Sequence, residues 1–352
     1  MAETAEQATR DVDKAFDRIL DSIKQLPSPP EVCLAVTRAV QDQATTLTDL
    51  QQLVESDIAL SGKLIQMSNS AFFGVRERVT SVRRAITLLG FGTVKTLALG
   101  FFFNEEFGKL RLPGLPYPDL PRYALAASVV AEAVADRTSP ELVGEAASVG
   151  LLHESGVIVM ALAFGRQYRK MLARLGETDQ PFWQLETDTF GVNHARAGQM
   201  LLKGWKLSDS LTGPVAAHHA PQPPAGDDPK ALALWRVLRL TDPCAALLFG
   251  RASPELVAHA LQVAHRQFGW TAAEVCAVLE AAEPVYKDRT FILGLASDEV
   301  PSAARVAAIV DILRGFDDQP SPQNNAHGGG RGSQDQHNGA FSTRRSIEDT
   351  LK

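Results

Sequence analysis

The segment Ser148–Met160, SVGLLHESGVIVM, is apolar over enough residues for about three helical turns and is interrupted once, by the polar triplet His153-Glu154-Ser155. A core helix normally excludes an imidazole beside a carboxylate, because burying either group is costly unless it is paired or bound to a metal ion. The triplet therefore marks either a helix end, with His153 bonded to a backbone carbonyl, or a buried polar site. Further histidines later in the sequence favour the second alternative, a buried polar site.

Apolar residues recur at helical spacing along the chain, and no segment alternates convincingly as a strand would. Thr48 is predicted to cap a short helix with Gln51 completing a capping box, and Asp57 is predicted to cap the next helix. A break is expected at Gly90-Phe91-Gly92. The predicted helices cover about residues 11–24, 29–40, 57–68, 81–102, 122–136, 140–164, 166–175, 181–190, 194–203 and 208–219, a short stretch from 48, and parts of 229–316. The fold class is all-α.

The 352 residues are enough for about two domain-sized units. We expect a disordered amino terminus over residues 1–10 and a helical domain over 11–221, with halves at 11–110 and 120–221. A proline-rich break then leads to a C-terminal helical portion, 229–316, that completes or packs on the second half. Residues 317–352 contain almost no large apolar side chains, so a disordered tail is predicted.

Composition restricts the partners and the compartment. With 41 acidic and 35 basic residues the net charge is −6, which gives no global attraction to nucleic acid or anionic lipid. Cys33, Cys244 and Cys276 lie in apolar contexts and are predicted to be buried thiols in a reducing compartment. The amino terminus is acidic where a signal peptide would be basic and then apolar, and no run reaches about 18 apolar residues. A cytoplasmic protein without membrane contact is predicted.

Two short helices before Phe72-Phe73-Gly74 have the spacing of a helix-turn-helix motif, but Ser56–Ser68 offers only Lys63 as a cation and Gln66 as an amide. A small basic patch follows, formed by Arg76, Arg78, Arg83 and Arg84. Patches of this size are more often solvated faces, so nucleic-acid binding is the weakest hypothesis.

The segments LPSPPEV, ESDIALSGKLIQMSNSAFFG and TSVRRAITLLGFGTVKTLAL follow one another in an order that resembles the opening half of HDOD domains. The segment ETDTFGVNHARAGQMLLKGWKLSDSLTGPVAAHH extends the resemblance, which covers about Phe16–Pro221. HDOD domains are helical output modules of bacterial signalling proteins and are related to the HD phosphohydrolases. The resemblance implies an HD-like helical bundle that acts through contacts with other signalling proteins.

A set of imidazoles and carboxylates is a candidate ligand cluster for a divalent Zn, Fe or Mn ion. The set consists of His153, Glu154, His194, His218, His219 and Asp242. Water bound to such an ion loses a proton near neutral pH and attacks phosphorus, so an assembled cluster would favour phosphohydrolase chemistry.

The resemblance also implies that active HD enzymes carry a first histidine, a His-Asp pair and a distant aspartate. Tyr123 stands where the first histidine would fall, and a phenol is a poor ligand for most divalent ions. The pair reads His153-Glu154, whose extra methylene would move the carboxylate by more than about 1 Å from a site that tolerates about 0.2 Å. Both changes argue against a metal site, so neither a cofactor nor a catalytic residue is expected. His194, His218 and His219 belong to the HDOD pattern itself.

The leading hypothesis is a non-enzymatic regulatory module with signalling proteins as partners. Its vestigial pocket, Tyr123 together with the six cluster residues, is then a place for a small phosphorylated ligand. The alternative is a metal-dependent phosphohydrolase of nucleotides or cyclic dinucleotides, with a rebuilt site. Nucleic-acid binding through the arginine patch is third.

Overall fold

A computed structural model of the protein describes residues 2–42, 44–70, 73–107, 112, 114–115, 119–178, 180–249, 253–295 and 307–313. Across these residues the secondary structure is helical and contains no strand, which confirms the all-α prediction. The tail predicted to be disordered, 317–352, lies outside the described residues, as does Phe72 of the predicted turn. Cys33, Cys244 and Cys276 are buried and lie outside any disulfide, as predicted.

The N-terminal half consists of α1 Ala2–Gln25, α2 Glu31–Gln41, α3 Leu47–Glu55, α4 Ile58–Ser68 and α5 Val82–Phe107. The second half consists of α6 Leu120–Thr138, α7 Val143–Leu152, α8 Gly156–Ala173, α9 Phe182–Phe190, α10 His194–Gly204 and α11 Asp209–Ala217. The C-terminal portion contributes α12 Pro229–Leu248, α13 Pro254–Phe268, α14 Ala272–Ile292 and a short helix at 307–313. Single 3-10 turns lie at Pro140–Leu142 and Leu175–Glu177.

Helix starts in the N-terminal half differ from the predictions in two places. α1 begins at Ala2 rather than near Asp11. Residues 2–10 are mostly Ala, Glu and Gln, and these residue types favour helix. α3 is capped by Thr46 rather than Thr48: the Asp49 N–H donates to the Thr46 hydroxyl at 3.2 Å, and the Thr46 N–H donates to the Asp49 carboxylate at 2.9 Å. The predicted cap Asp57 is confirmed, since it accepts the Leu60 N–H at 3.0 Å.

The predicted break in α5 is confirmed at Gly90, whose φ of 78° only glycine adopts without strain. Two residues later Gly92 crosses Gly144 of α7 so closely that a Cβ on Gly92 would lie 2.9 Å from the Gly144 Cα. This contact between two glycines joins the N-terminal half to α7, the helix that directly precedes the polar triplet.

The segment predicted as one helix over 140–164 is two helices. α7 ends at Leu152, α8 begins at Gly156, and the polar triplet forms the turn between them. Gly156, the first residue of α8, lies against the first turn of α10: a Cβ there would be 1.8 Å from the His194 carbonyl oxygen. The predicted boundary near residue 165 corresponds to a bend inside α8 at Gly165, where φ is 45°.

α6 forms the centre of the second half and packs against α7, α12 and α14. Its buried surface is mostly alanine and valine, which lets the neighbouring helices approach closely. An ion pair of 2.7 Å joins Glu132 of α6 to Arg289 of α14, and Lys63 of α4 donates to the carbonyl of Ile292 at 3.0 Å. α14 thus contacts both halves.

Two helical stretches, Val82–Phe107 and Pro140–Glu177, are long and apolar enough to cross a membrane. Both are mostly buried within the fold, as expected of core helices.

Candidate functional site

The residues of the candidate cluster come from four places in the second half and the C-terminal portion. His153 and Glu154 occupy the turn between α7 and α8, and His194 is the first residue of α10. His218 and His219 follow the last residue of α11. Asp242 lies in α12 and Tyr123 in α6. The structure brings these side chains together in one cluster, and Tyr123, Glu154, His218, His219 and Asp242 line a cavity.

Two of the imidazoles are held by the backbone through Nδ1. The Nδ1 atom of His153 donates to the carbonyl of Gly150 at 2.8 Å, and that of His218 donates to the carbonyl of Val215 at 2.6 Å. In the neutral form of each ring the Nε2 lone pair therefore faces the cluster. Both rings are buried, and neither Nε2 has a hydrogen-bond partner among the described residues. The two Nε2 atoms thus converge on one interior point.

The carboxylate of Glu154 lies between these imidazoles. Its Oε1 atom is 3.5 Å from Nε2 of His153 and 3.7 Å from Nε2 of His218, and its Oε2 atom is 3.6 Å from Nε2 of His194. The side chain is almost completely buried. The extra methylene of glutamate does not remove the carboxylate from the cluster, because the position of the carboxylate also depends on the backbone of the turn that carries Glu154.

Tyr123 and Asp242 form the opposite edge of the cluster. The Tyr123 hydroxyl donates to Oδ1 of Asp242 at 2.6 Å, and the same Oδ1 is 3.8 Å from Nε2 of His153. Tyr123 is 2% exposed, so its phenol is a fixed part of the wall. The residue that replaces the expected first histidine is therefore a hydrogen-bond donor to the distant aspartate.

The cluster stabilises both carboxylates in their charged form. Burial raises the pKa of Glu154 and of Asp242, but the neighbouring imidazoles outweigh burial and hold both pKa values well below the usual range. Burial lowers the pKa of His194, but the carboxylates of Glu186 and Glu154 outweigh it and raise that pKa to about 9. Burial lowers the pKa of His219. In the metal-free protein the His194 imidazolium can therefore donate from Nε2 to Nε2 of His219, 2.9 Å away, and a bound ion would take the place of this proton.

The sequence analysis missed one residue of the site, Glu186 of α9. Its Oε2 atom accepts the backbone N–H of His194 at 2.9 Å and the Nδ1–H of the same residue at 2.5 Å. Its Oε1 atom accepts the hydroxyl of Tyr168 at 2.6 Å. Glu186 opens the segment ETDTFGVNH that resembles HDOD domains, so the available signal was an acidic residue eight positions before a candidate ligand.

The cluster forms the floor of a cavity of about 560 Å³. The cavity is lined by Tyr123, Glu154, Pro181, Phe182, Trp183, His218, His219, Arg239, Asp242, Pro243, Ala246, Leu256 and His259. Arg239 donates to the carbonyl of His218 at 3.3 Å, and its Nε is buried without a partner among the described residues. The Trp183 indole lies nearly parallel to the His219 ring at a centroid distance of 5.8 Å.

Two overlapping sets of donor atoms fit a divalent ion. One consists of Glu154, His194, His218 and His219, and the other of His153, Glu154 and Asp242. Within each set the donor atoms lie within 4.8 Å of one another. Imidazole nitrogens and carboxylate oxygens suit Zn, Fe or Mn, and the unpartnered Nε2 atoms of His153 and His218 are consistent with such a ligand. The first set is the more complete, because the second shares Asp242 with Tyr123.

The arginines of the basic patch lie outside this site, on the exposed surface of the N-terminal half. Arg83 donates to Thr48 and Gln51 at 3.4 and 3.3 Å, and Arg84 pairs with Glu77 at 3.6 Å. Arg78 borders a separate groove between α4 and α14. Arg76 is exposed. The patch does not converge on the cavity.

The family model of the HDOD domain matches residues 26–221 of the chain. The chain belongs to the HDOD family. The match includes His153, Glu154, His194 and His218-His219, whereas Asp242 lies beyond it. The cavity-lining residues of α12 and α13 thus lie outside the matched segment.

Three solved structures share the HDOD fold with this chain. An HDOD domain protein of unknown function from Geobacter sulfurreducens is 20% identical, with a TM-score of 0.63 and coverage of 82% of this chain and 99% of its own. A protein from Marinobacter aquaeolei VT8, provisionally named a signal transduction protein, is 20% identical, with a TM-score of 0.62 and coverage of 81% and 66%. A protein from Shewanella amazonensis SB2B, provisionally named a phosphohydrolase, is 18% identical, with a TM-score of 0.61 and coverage of 79% and 98%. At these identities the likeness shows the fold alone.

An uncharacterized protein of Treponema pallidum (strain Nichols) is 27% identical over 203 residues. The alignment covers 57% of this chain and 39% of that relative. The chain thus spans about two fifths of the length of the relative it matches.

Proposed function

We propose that this HDOD protein is a regulatory module that binds a small phosphorylated ligand at a divalent metal site and does not hydrolyse it. Glu154, His194, His218 and His219 would hold the ion. The observation that carries the proposal is the 2.6 Å hydrogen bond from Tyr123 to Asp242, beside an otherwise complete donor set. Membership of the HDOD family supports an output through contacts with signalling proteins.

The cavity offers groups that suit an anionic ligand. A bound divalent ion would supply a Lewis-acidic anchor for a phosphate oxygen. Arg239 is the only lysine or arginine among the described residues that line the cavity, and its Nε has no partner among them. A guanidinium matches phosphate geometry, so Arg239 would bind a second phosphate oxygen. Trp183, which lies against His219, provides a flat apolar face in the same cavity.

The absence of turnover follows from the edge formed by Tyr123 and Asp242. A tyrosine phenol stays protonated near pH 7. Its hydrogen bond occupies Oδ1, the Asp242 oxygen that faces His153. The bond makes the Asp242 carboxylate less basic, so Asp242 would be a weaker metal ligand and a weaker base for water than a carboxylate without this bond. The remaining residues can bind and orient a phosphorylated molecule.

Calorimetric titration tests ligand binding. The full chain is loaded with Mn²⁺ and titrated with adenosine monophosphate, a cyclic dinucleotide and pyrophosphate. We expect at least one of them to bind, and the R239A variant to bind it at least about tenfold more weakly, because a charge-assisted hydrogen bond is lost. R236A is the matched control, since Arg236 is exposed on the same helix one turn earlier. No binding by any of the three, or equal affinity in R239A, contradicts the proposal.

The second candidate is a metal-dependent phosphohydrolase, favoured by the donor sets at the floor of a cavity. It predicts that the metal-loaded wild-type chain releases product from a nucleotide or cyclic dinucleotide. It further predicts that H153A loses both the metal and the activity. Product release above the level of H153A favours this candidate, and recovery of intact ligand favours the regulatory module.

A further inference from the structure

Helix α9 contacts two of the imidazoles through three side chains. Phe182 stacks on the His194 ring at a centroid distance of 5.1 Å and an angle of 17°. Trp183 lies against His219 at an angle of 15°. Glu186, one turn later, bonds to His194. Three side chains of one short helix therefore set the orientation of two candidate ligands.

Glu186 holds His194 at two points. One carboxylate oxygen accepts both the backbone N–H and the Nδ1–H of His194, which ties the ring to the first residue of α10. The other oxygen accepts the Tyr168 hydroxyl. All three residues are at most 1% exposed, so water does not compete for these bonds.

We propose that Glu186 is a positioning residue for the metal site and that Tyr168 fixes Glu186 in turn. The inference rests on the metal-binding function proposed above. A carboxylate that accepts from Nδ1 keeps the proton on that nitrogen, leaves Nε2 as the ligand atom and makes it more basic. His153 and His218 obtain their orientation from backbone carbonyls, which substitution does not remove. The orientation of His194 depends on a side chain instead, so a substitution of Glu186 can change it.

The test compares E186Q, Y168F and a matched control, D188N, in the full chain. Asp188 is exposed on the same helix and bonds to Gln184 and Gln180, so D188N removes a charge from α9 without touching the cluster. Mn²⁺ and Zn²⁺ affinities are measured by competition with a chromogenic chelator. Proton NMR of the chelator-treated protein follows the strongly deshielded Nδ1–H resonance of His194, which a short hydrogen bond to a carboxylate produces. Thermal unfolding verifies that each variant is folded.

We expect E186Q to lose the deshielded proton and to bind metal about 10- to 100-fold more weakly. Y168F should weaken metal binding less than E186Q does, and D188N should stay within about twofold of wild type. A folded E186Q with wild-type metal affinity overturns the proposal. If E186Q does not fold, unchanged affinity in Y168F overturns it and reduced affinity supports it.

The NMR signal separates this proposal from the proposed function. A wild-type chain that binds neither ion removes the metal-centre function. The Nδ1–H resonance of His194 then tests the Glu186 proposal, because the proposal requires Glu186 to orient the His194 ring in the metal-free protein as well. Loss of the resonance in E186Q supports the proposal, and its persistence overturns it.

Discussion

The hydroxyl of Tyr123 donates to Oδ1 of Asp242 across 2.6 Å and joins α6 to α12 at the edge of the imidazole cluster. This bond places a protonated group where the resemblance to HD enzymes implies a metal-binding imidazole. The rest of the cluster keeps its nitrogen and oxygen donors close together. We therefore attribute the predicted lack of turnover to one edge of the site rather than to loss of the whole ligand set.

The first prediction is a gain of activity in the Y123H/E154D double variant. An imidazole at position 123 would free Asp242, and aspartate at position 154 restores the pair that active HD enzymes carry. We expect phosphate release from a nucleotide or cyclic dinucleotide at least about tenfold above wild type, measured with Mn²⁺ present. Y123F is the control, since it removes the hydrogen bond without adding a ligand. Activity in the double variant no higher than in wild type would show that Tyr123 is not the reason, and a gain in Y123F alone would assign the effect to the hydrogen bond.

The second prediction concerns stabilisation by metal. Ions that bind only the folded chain raise its free energy of unfolding by about 3 kcal/mol at 100 times the dissociation constant. We expect Mn²⁺ or Zn²⁺ to raise the melting temperature of wild type and a chelator to reverse the shift. H218A should lose the shift, whereas H259A should keep it, because His259 lines the cavity but belongs to neither donor set. A metal-induced shift in melting temperature as large in H218A as in wild type would mean that the ion binds outside the imidazole cluster.

The third prediction concerns the close approach of Gly156 to α10. A Cβ at this position would lie 1.8 Å from the His194 carbonyl oxygen and 2.4 Å from the Gly198 nitrogen, so backbone must move. We expect G156A to lower the free energy of unfolding by more than about 3 kcal/mol in urea titration. The control is G62A in α4, where a Cβ meets nothing within 4 Å. G62A should be stabilising by about 0.5–1 kcal/mol, and similar effects of the two variants would refute the packing argument.

The fourth prediction concerns Lys95, a buried lysine of α5 that is 1% exposed and whose Nζ has no hydrogen-bond partner among the described residues. Burial, partly offset by Glu145, lowers its pKa from 10.5 to about 8. The folded chain therefore loses this proton before the unfolded chain does, and stability should rise between about pH 8 and pH 10.5.

K95M should remove that rise and increase the free energy of unfolding at pH 7 by about 3 kcal/mol, since no charge is then buried. Denaturant titrations across pH measure both effects. K170M is the control, because Lys170 is exposed, and it should change stability by less than about 0.5 kcal/mol. A destabilised K95M would mean that the buried ammonium has a stabilising partner.

Much of the fold could be predicted because helical periodicity is a local property. The bend at Gly90 and the cap at Asp57 follow from residue types at those positions. The cap of α3 was misplaced because Thr46 and Thr48 each have a suitable partner three residues later. The helix end at Leu152 was missed because the apolar pattern continues through the turn, and the close approach of α10 to Gly156 is a contact between distant segments that no local pattern reports.

The candidate ligands were found because their residue types are unusual in apolar helices, and the resemblance gave their order. Glu186 was missed because a single acidic residue in a surface-like helix carries no local sign of its bond to His194. The expectation for Glu154 relied on side-chain length alone. Its carboxylate nevertheless stays within 3.7 Å of three Nε2 atoms, since the backbone of the turn also determines its position.

The most direct test of the account is one measurement on wild-type protein purified without chelator: metal content per chain, with phosphate release from a nucleotide and a cyclic dinucleotide followed on the same sample. The account predicts about one divalent ion per chain and no release above that of a metal-free sample. A chain without metal, or metal-dependent release over many turnovers, would contradict it.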